Sequence, residues 1–442
     1  MTSRLVHATT ILVLLFISIA SVNAQRPHLP EGDPARTWKE EDSKDGRWSE
    51  TDVGPFLASV IRTPGGPIAK GLSIKVGDQQ QETVLYDTAT CTMRTAWTGG
   101  FLQFSDRRYG ITRSPEIDGE VQFHLSAVGW GKGEKQYGGL YQNGKNVVLS
   151  YTVDGVEILE RPAMNSAGGL VLFARAFHIA PHEEPLSLAL VERPGKRTIV
   201  EQDRHAIYEN DGHSLVVAVK SDSDAVNLQH NLDSVTLRIN PSNKPTVFTL
   251  YISMGKSELA LQAAKLIDEV RVELNADPGR PLWPKWIATG GTMGRNRKGQ
   301  EDEGAAYVID TINVPCYNPY KVLMFTSGFD FFASGDIAVS TLHGDVWLVR
   351  GADDDLGDVK WKRYATGLCQ PLGLKIVDDK VYVLGKDQIT LLHDHNGDDE
   401  ADFYECFNND GQTSLGGHDY ARCLETDPDG NFYYIRAHEG VC

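Results

Sequence analysis

The chain has 442 residues, with 41% hydrophobic and 23% charged residues, which is ordinary for a globular protein of two or three domains. Its 60 acidic and 43 basic residues give a formal net charge of −17. This charge argues against nucleic acid or an anionic membrane surface as a partner, because both attract basic surfaces.

The first 24 residues have the features of an export signal. Arg4 precedes an apolar run at 11–20, and Val22 and Ala24 occupy the small-residue positions of a cleavage site. The run is short for a bilayer span, and an uncleaved anchor is the alternative. We expect a periplasmic or extracellular protein after cleavage near Ala24. We also expect no membrane span in the mature chain, because no later segment has 18 consecutive apolar residues.

A polar arm at 25–50 is followed by strands and turns from 51 to 275. Asn143–Gly144 and Asp154–Gly155 are hairpin signals on either side of the run VVLSYTV, so they predict a three-stranded meander. One helix, at 257–274, is predicted from its apolar spacing. Many short strands without alternating helices indicate an antiparallel β-sandwich-like domain of unknown function. Further strand-like runs lie at 169–179, 186–192, 214–220, 234–240 and 246–254.

Residues 276–304 are rich in glycine, proline and charge, and we interpret them as a linker. They include the stretch GGTMGRNRKG, which lacks the spacing of a phosphate-binding P-loop and precedes no helical pattern.

The last region, 305–442, contains an imperfect repeat. The run Asp345–Val349 recurs as Lys380–Leu384 and as Asn431–Ile435, each time after a tight turn. Repeats of this length are typical of β-propeller blades. Propellers close with four to eight blades, and this region has room for about three. We therefore expect an incomplete β-propeller in a C-terminally truncated chain; a partial fold completed by a partner is the alternative.

The chain has six cysteines, and none lies in C-x-x-C spacing. Zinc ribbons, thioredoxin chemistry and c-type haem attachment therefore lack their signature. Export makes disulfides possible, and Cys406 and Cys423 could pair across neighbouring strands. Two unpaired thiols are the alternative.

The stretch LLHDHNGDDEADFYE, at 391–405, has the spacing of a calcium loop. Oxygen-bearing side chains recur at positions 1, 3, 5, 9 and 12 of an EF-hand-type loop, and position 7 would supply its backbone carbonyl. Position 6 should be glycine, and here it is Asp399. The flanking residues predict strands, so the loop would join two propeller strands; a solvated acidic turn is the alternative. The predicted ligands are Asp394, Asn396, Asp398, Glu400, Asp402 and Glu405.

Catalytic signals are sparse. His418, on a glycine-rich turn before Asp419, is a weak candidate for a base or ligand facing a propeller channel. No nucleophile elbow, H-E-x-x-H motif or Rossmann glycine pattern occurs. Trp97, Trp130 and Tyr137 could line a glycan surface, but core positions are the stronger interpretation.

Five stretches carry a resemblance to a known family: 97–104, 139–160, 328–351, 361–410 and 416–434. Together they resemble large secreted proteins of planctomycete-type bacteria, described as membrane-bound dehydrogenase or haem-binding proteins. In these proteins an N-terminal β-domain of unknown function precedes a propeller similar to soluble quinoprotein glucose/sorbosone dehydrogenases, and a c-type cytochrome module often follows. The family's acidic loop usually has glycine where this chain has Asp399, and the haem motif C-x-x-C-H does not occur here.

The resemblance implies the N-terminal part of an exported quinoprotein-type oxidoreductase acting on sugars or polyols. It also implies pyrroloquinoline quinone as cofactor and an electron acceptor such as a c-type cytochrome. On its own, this part would be inactive. The alternative is a non-catalytic secreted module that binds a carbohydrate or a protein and is stabilised by calcium.

Overall fold

The computed structural model describes most of the chain from Glu50 onward. The predicted export segment at 1–24 and the arm up to 49 lie outside the described residues. The described ranges are 50–104, 113–125, 129–167, 170–192, 196–199, 204–210, 212–230, 234–256, 260–294, 308–353, 355–416, 419–437 and 439–442.

The first part of the chain consists of strands joined by short turns. Every described pair among these strands is antiparallel, which confirms the mainly β, antiparallel prediction. The strands are β1 (Phe56–Thr63), β2 (Gly66–Val76), β3 (Glu82–Asp87), β4 (Thr92–Thr98), β5 (Leu102–Gln103), β6 (Glu116–Ile117), β7 (Glu120–His124), β8 (Gly129–Trp130), β9 (Lys135–Asn143), β10 (Asn146–Val153), β11 (Val156–Ala167), β12 (Leu170–Ile179), β13 (Leu186–Glu192), β14 (Lys196–Ile199), β15 (His205–Asn210), β16 (His213–Ser221), β17 (Val226–His230), β18 (Ser234–Ile239) and β19 (Thr246–Lys256).

The predicted three-stranded meander is β9–β10–β11. Asp154 and Gly155 have φ of 51° and 76°, as a two-residue type I′ hairpin requires. In the first hairpin the loop residues are Gly144 and Lys145, and Gly144 has a φ of 54°. The first turn therefore lies one residue later than the predicted Asn143–Gly144 turn. Gly144 occupies the first of the two loop positions, where φ is positive and glycine is favoured.

The one described helix, α1 (Ala260–Glu269), ends five residues before the predicted end of the helix at 257–274; residues 257–259 lie outside the described residues. After it the chain is extended, and Val270 and Val272 pack against the apolar cluster beneath the helix. The backbone carbonyl of Val270 accepts a hydrogen bond from the Tyr251 hydroxyl at 2.9 Å. β-Branched side chains favour this extended path. Among the described residues, no helix has the length and apolar character needed to cross a bilayer.

The first-part strands pack around one large apolar cluster. A five-stranded sheet has the order β1–β2–β3–β4–β7, and a four-stranded sheet has the order β17–β18–β13–β8. Strands β14, β15, β16, β19, β12, β11, β10 and β9 are consecutive neighbours in a larger sheet. Tyr86, Phe173 and Leu188, one from each sheet, belong to the same buried cluster.

A buried charge pair lies inside this cluster. The Glu160 carboxylate accepts hydrogen bonds from Arg175 at 2.6 and 3.1 Å and from the Tyr151 hydroxyl at 2.7 Å. The Tyr86 hydroxyl donates to the same carboxylate. Because the two charges pair directly and both tyrosine hydroxyls also bond the carboxylate, the desolvation cost of burying the pair is partly offset.

The second part of the chain contains further antiparallel strands. The segment interpreted as a linker, 276–304, contributes β20, which pairs with β26, and β21. The strands are β20 (Ile287–Ala288), β21 (Gly291–Thr292), β22 (Thr311–Ile312), β23 (Thr326–Phe331), β24 (Ile337–Thr341), β25 (Val346–Arg350), β26 (Lys360–Ala365), β27 (Gly373–Val377), β28 (Lys380–Leu384), β29 (Ile389–His393), β30 (Phe403–Asn408), β31 (Ala421–Thr426), β32 (Phe432–Arg436) and β33 (Gly440–Val441).

These strands form two consecutive four-stranded units. We call β23–β26 the first meander and β27–β30 the second meander; β31–β33 form a separate three-stranded sheet. The first strands of successive units contact one another, β23 with β27 and β27 with β31.

The predicted repeat equates strands that hold different positions in the first and second meanders. Trp347 lies on the third strand of the first meander, whereas Tyr382 and Tyr433 lie on the second strands of their units. Successive strands of a unit carry similar apolar and aromatic patterns, so the pattern alone does not identify which strands are equivalent.

Strand β30 joins the second meander to the first part of the chain. It pairs with β9, so the two parts share one 12-stranded sheet. At this junction Gly139 has a φ of +124°, and a Cβ there would lie 2.1 Å from the Tyr404 carbonyl oxygen. Tyr141 and Phe403 stack across the junction with ring centroids 4.2 Å apart. A glycine is therefore required where the two backbones approach most closely.

The cysteine pairing considered for Cys406 and Cys423 is not formed. Cys406 lies on β30, between β29 and β9, whereas Cys423 lies on β31, which pairs with β32. The two residues are thus not on neighbouring strands, and all six cysteines are free thiols.

We expect Gly139→Ala to lower the free energy of unfolding by at least about 2 kcal/mol, because the added methyl group meets a backbone carbonyl and φ is unfavourable for alanine. Gly255→Ala is the matched control, since a Cβ at Gly255 meets no atom within 4 Å. Denaturant unfolding of both variants measures the difference. Equal stability of the two variants would contradict the proposed role of Gly139.

Candidate functional site

A cleft of about 540 Å³ lies between the first and second meanders, beside the acidic loop at 394–405. Most of its lining residues are polar or charged, and both signs of charge are present. Turn residues and strand ends of both meanders contribute, and turns carried by a rigid sheet are common positions for binding residues. The lining residues are Phe332, Ser334, Asp336, Leu348, Arg350, Tyr364, Asp379, Lys380, Leu392, His393, Asp394, His395 and Asp399.

Two turns form one wall of the cleft and are bonded to each other. Asp378 and Asp379 form the two-residue turn between β27 and β28, with φ of 50° and 57°. Aspartate tolerates this left-handed conformation better than most residues. The Asp379 carboxylate accepts a hydrogen bond at 2.8 Å from the backbone N–H of Ala333, in the turn between β23 and β24. This bond fixes the width of the cleft at its rim.

Arg350 links the first meander to the acidic loop. Its guanidinium donates to Asp399 at 2.7 and 3.0 Å and to Asp336 at 2.9 Å, and it lies 4.7 Å from the ring centroid of Trp286. Burial alone would lower the pKa of Arg350, but hydrogen bonds to the two carboxylates raise it. The bidentate geometry orients the loop more firmly than a single contact would.

His393 is a cleft residue that a carboxylate orients. Its Nε2 lies 2.7 Å from a Glu405 carboxylate oxygen, across the β29–β30 pair. The ring stacks on Phe403 and on His395, with centroid distances of 5.4 Å in each case. A histidine held by a carboxylate and packed against two aromatic rings has the arrangement of a positioned base or hydrogen-bond partner.

Within the acidic loop, carboxylates accept hydrogen bonds from the loop's own backbone. Asp394 accepts from the N–H groups of Gly397 at 2.7 Å and Asp399 at 2.9 Å. Asp402 accepts from the N–H of His395 at 2.8 Å. These bonds shape the loop in the way that Asx turns do.

Two of the predicted calcium ligands have their side chains engaged elsewhere. The buried Glu400 carboxylate accepts from the N–H groups of Leu282 at 2.6 Å and Trp283 at 2.7 Å, and it lies 3.6 Å from Lys362. Burial raises the pKa of Glu400, while these two amides lower it in part. Only its backbone carbonyl remains for a cation, which is the role that position 7 has in a calcium loop. Glu405 bonds His393.

The remaining predicted ligands lie close together. Burial raises the pKa of Asp402, the His395 amide lowers it, and the charges of Asp398 and Asp394 raise it again. Asn396 Nδ2 lies 3.5 Å from Asp402. Within the part of the chain that the structure describes, no group of three or more His, Cys, Asp and Glu side chains is placed to hold a metal ion. The calcium site stays a prediction.

Asp399, which replaces the expected glycine, has a φ of 66°. The backbone therefore adopts the sharp turn that position 6 of a calcium loop requires, without a glycine. Aspartate tolerates this conformation, and the ion pair with Arg350 holds the side chain outward from the loop.

The other predicted site residues have different outcomes. His418 lies outside the described residues, and its neighbour Asp419 is buried. Trp97, Trp130 and Tyr137 are 0%, 5% and 6% exposed, which confirms that they are core residues. Nothing in the sequence distinguishes Arg350 and Lys380, because isolated basic residues at strand ends carry no motif. The tight turns beside them were the available signal.

Comparison with known proteins gives limited matches. A family model of a domain of unknown function, DUF6797, matches residues 84–160. No curated protein matches the chain. A solved structure described as "Putative kojibiose phosphorylase from human microbiome" is 11% identical, with a TM-score of 0.25 over 53% of this chain. The chain matches about a third of that protein's length (35%), and a likeness this weak carries no inference.

We expect Asp399→Ala to lower the free energy of unfolding by about 1–2 kcal/mol, because alanine loses the Arg350 pair and also tolerates positive φ poorly. Asp399→Gly loses the same pair but accepts the backbone conformation, so its loss should be smaller. Denaturant unfolding of the two variants isolates the backbone contribution. If glycine and alanine are equally destabilising, the backbone at Asp399 carries no strain.

Proposed function

We propose that this chain is an exported carbohydrate- or polyol-binding protein, with a β-sandwich-like domain followed by part of a β-propeller, and that the ligand occupies the cleft between the first and second meanders. The composition of the cleft is the observation that supports this proposal. Its size suits a small ligand, and it combines cations, carboxylates, a hydroxyl and the aromatic side chains of Phe332 and Tyr364. Sugars and polyols present many hydroxyl groups, which pair with such a mixture of donors and acceptors.

The arrangement of the strands supports the propeller part of the proposal. Successive four-stranded antiparallel meanders whose first strands contact one another are the expected arrangement of neighbouring blades. The third sheet, β31–β33, continues the series. In this interpretation the cleft lies between two adjacent blades, on the side of the β23–β24 and β27–β28 turns.

A quinone-dependent oxidoreductase is the second candidate, and the His393–Glu405 pair favours it. A histidine oriented by a carboxylate can remove a proton from a substrate hydroxyl group during oxidation. Pyrroloquinoline quinone carries three carboxylates and needs free cations nearby. Arg350 already pairs with two carboxylates. Lys380 is the only other lysine or arginine among the described lining residues. The cofactor and a c-type cytochrome acceptor therefore enter this proposal through the family resemblance alone.

The binding proposal predicts that His393→Gln and Lys380→Gln each weaken a carbohydrate ligand about tenfold, because a hydrogen bond to a charged or oriented group is worth roughly 1.5–3 kcal/mol. Titration calorimetry with glucose, cellobiose and sorbitol measures the affinities. Asp222→Asn, at an exposed acid outside the cleft, is the control and should bind as the unmodified chain does. Binding that is unchanged in both cleft variants would contradict the location of the site.

Calcium bound by the acidic loop is the other part of the proposal. Asp394, Asn396, Asp398 and Asp402 would supply side-chain oxygens, and Glu400 its carbonyl. The ion would neutralise the carboxylates and stabilise the loop that borders the cleft. Glu405 could join them only by leaving His393, so affinity should be weak.

We therefore expect millimolar calcium to raise the melting temperature, since a ligand that binds only the folded state stabilises it. Asp394→Ala should abolish the shift, and chelation should reverse it. Asp429→Asn, in the exposed turn before β32, is the control acid and should keep the full shift. A chain whose melting temperature does not respond to calcium would exclude the ion and leave the cleft proposal unaffected.

A further inference from the structure

A second pocket, of about 370 Å³, lies in the first part of the chain, away from the cleft between the meanders. We call it the basic pocket, because four of its lining residues are cations: Lys75, Lys145, Arg161 and Arg271. Asp78 is the one carboxylate among the described lining residues. In a chain of net charge −17, such a local excess of positive charge is unusual. The DUF6797 match at 84–160 includes one of the four cations, Lys145.

Four separate segments build the basic pocket. They are the end of β2 with its following turn, the β9–β10 turn, the middle of β11, and the extended segment after α1. Residues distant in sequence thus converge on one space. The remaining lining residues supply amides and apolar surface: Val76, Gly77, Gln80, Asn146, Val147, Pro162, Ala163, Met164, Asn165 and Val272.

Hydrogen bonds hold the walls of the pocket in place. Arg161 donates to the Asn146 side-chain oxygen at 2.9 Å and also to the backbone carbonyl of Glu273, so it joins the β9–β10 turn to the segment after α1. Gln80 donates to the Lys145 carbonyl at 3.0 Å and joins the turn after β2 to the same β9–β10 turn. The pocket is therefore formed before any ligand binds, which reduces the entropic cost of binding.

The positive charge of the pocket is not neutralised locally. Among the described residues, no ion pair joins any of the four cations to a carboxylate. The buried Nε of Arg161 has no hydrogen-bond acceptor in the part of the chain that the structure describes. Burial lowers the pKa of Arg161, and the nearby Glu273 charge raises it only in part.

The surroundings of Lys75 also disfavour its charged form. Burial lowers its pKa, Asp52 raises it, and the positive charges of Arg363 and Lys145 lower it further. Two neighbouring acids do not change this balance. The Glu82 carboxylate lies beside Gly77, and Asp78 is exposed at the rim. Charges held in a partly buried space without a carboxylate partner favour a ligand that supplies the opposite charge.

We propose that the basic pocket binds a small polar molecule through an oxyanion group: a carboxylate, a sulfate or a phosphate. The cations recognise the oxyanion, and the amides of Gln80, Asn146 and Asn165 are placed to contact the polar remainder. At physiological ionic strength a charge acts over about 8 Å, so the pocket attracts an anion although the whole chain is acidic. The basic pocket and the carbohydrate cleft are formed by different segments and different residues. The oxyanion proposal therefore does not depend on the carbohydrate proposal.

Titration calorimetry with inorganic phosphate, inorganic sulfate and glucuronate tests the proposal, with glucose as the uncharged comparison. We expect one site per chain for at least one oxyanion, and an affinity that falls as sodium chloride is added. The tightest of the three probes identifies the oxyanion class. No binding of any of the three at millimolar concentration would overturn the proposal.

The matched variants use the two exposed cations of the pocket. Lys145→Gln combined with Arg271→Gln should weaken binding at least about tenfold, since each removes a charged hydrogen-bond donor. Lys132→Gln, at an exposed lysine outside the pocket, should leave binding unchanged. Each single variant is measured as well, in case the double variant does not fold. Oxyanion binding that is equally tight in the control and the pocket variants would overturn the proposal. Loss of carbohydrate binding in the His393 variant concerns the cleft and has no bearing on the basic pocket.

Discussion

The backbone pairing of β9 with β30 is the interaction on which the rest of the structure depends. It joins a strand of the first part of the chain to the outer strand of the second meander. The pairing leaves no room for a side chain at position 139, so it requires Gly139. Because hydrogen bonds between strands set both distance and register, this pairing also fixes β29, the acidic loop and His393 relative to the first domain. The strand next to β29 in the sheet therefore helps to position the cleft, because Phe403 pairs with both His393 and Tyr141.

A second connection runs through buried charge. The Arg363 guanidinium, fully buried, donates to Asp345 at 2.7 Å, to the Asp52 carbonyl at 2.6 Å and to the Thr366 hydroxyl at 2.9 Å. Its carbon lies 4.9 Å from the ring centroid of Trp283. One side chain therefore holds together the start of the described chain, the segment after α1 and the first meander. A buried cation with this many partners favours one arrangement of these segments, since any other leaves the charge unpaired.

The two pockets differ in how their charges are balanced. In the cleft, Arg350 is paired with Asp336 and Asp399, so its charge organises the site and is not available to attract an anion. In the basic pocket, the cations have no carboxylate partner among the described residues. A neutral ligand with many hydroxyl groups suits the first, and an oxyanion suits the second. The acidic loop resembles the cleft in this respect, because its carboxylates already bond backbone amides, Arg350 or Lys362.

The sequence alone determined the strands, because period-two patterns and β-branched runs reflect local backbone preference. It also located the Asp154–Gly155 hairpin, whose turn chemistry is local, and the loop spacing from Asp394 onward. It could not show that β30 pairs with β9, since that contact joins residues far apart in the chain, nor which strands of the meanders are equivalent. Only the tertiary structure brought Arg350 to Asp399 and gathered four dispersed cations around one pocket. Isolated charged residues become sites only when folding brings them together, and no local pattern records that.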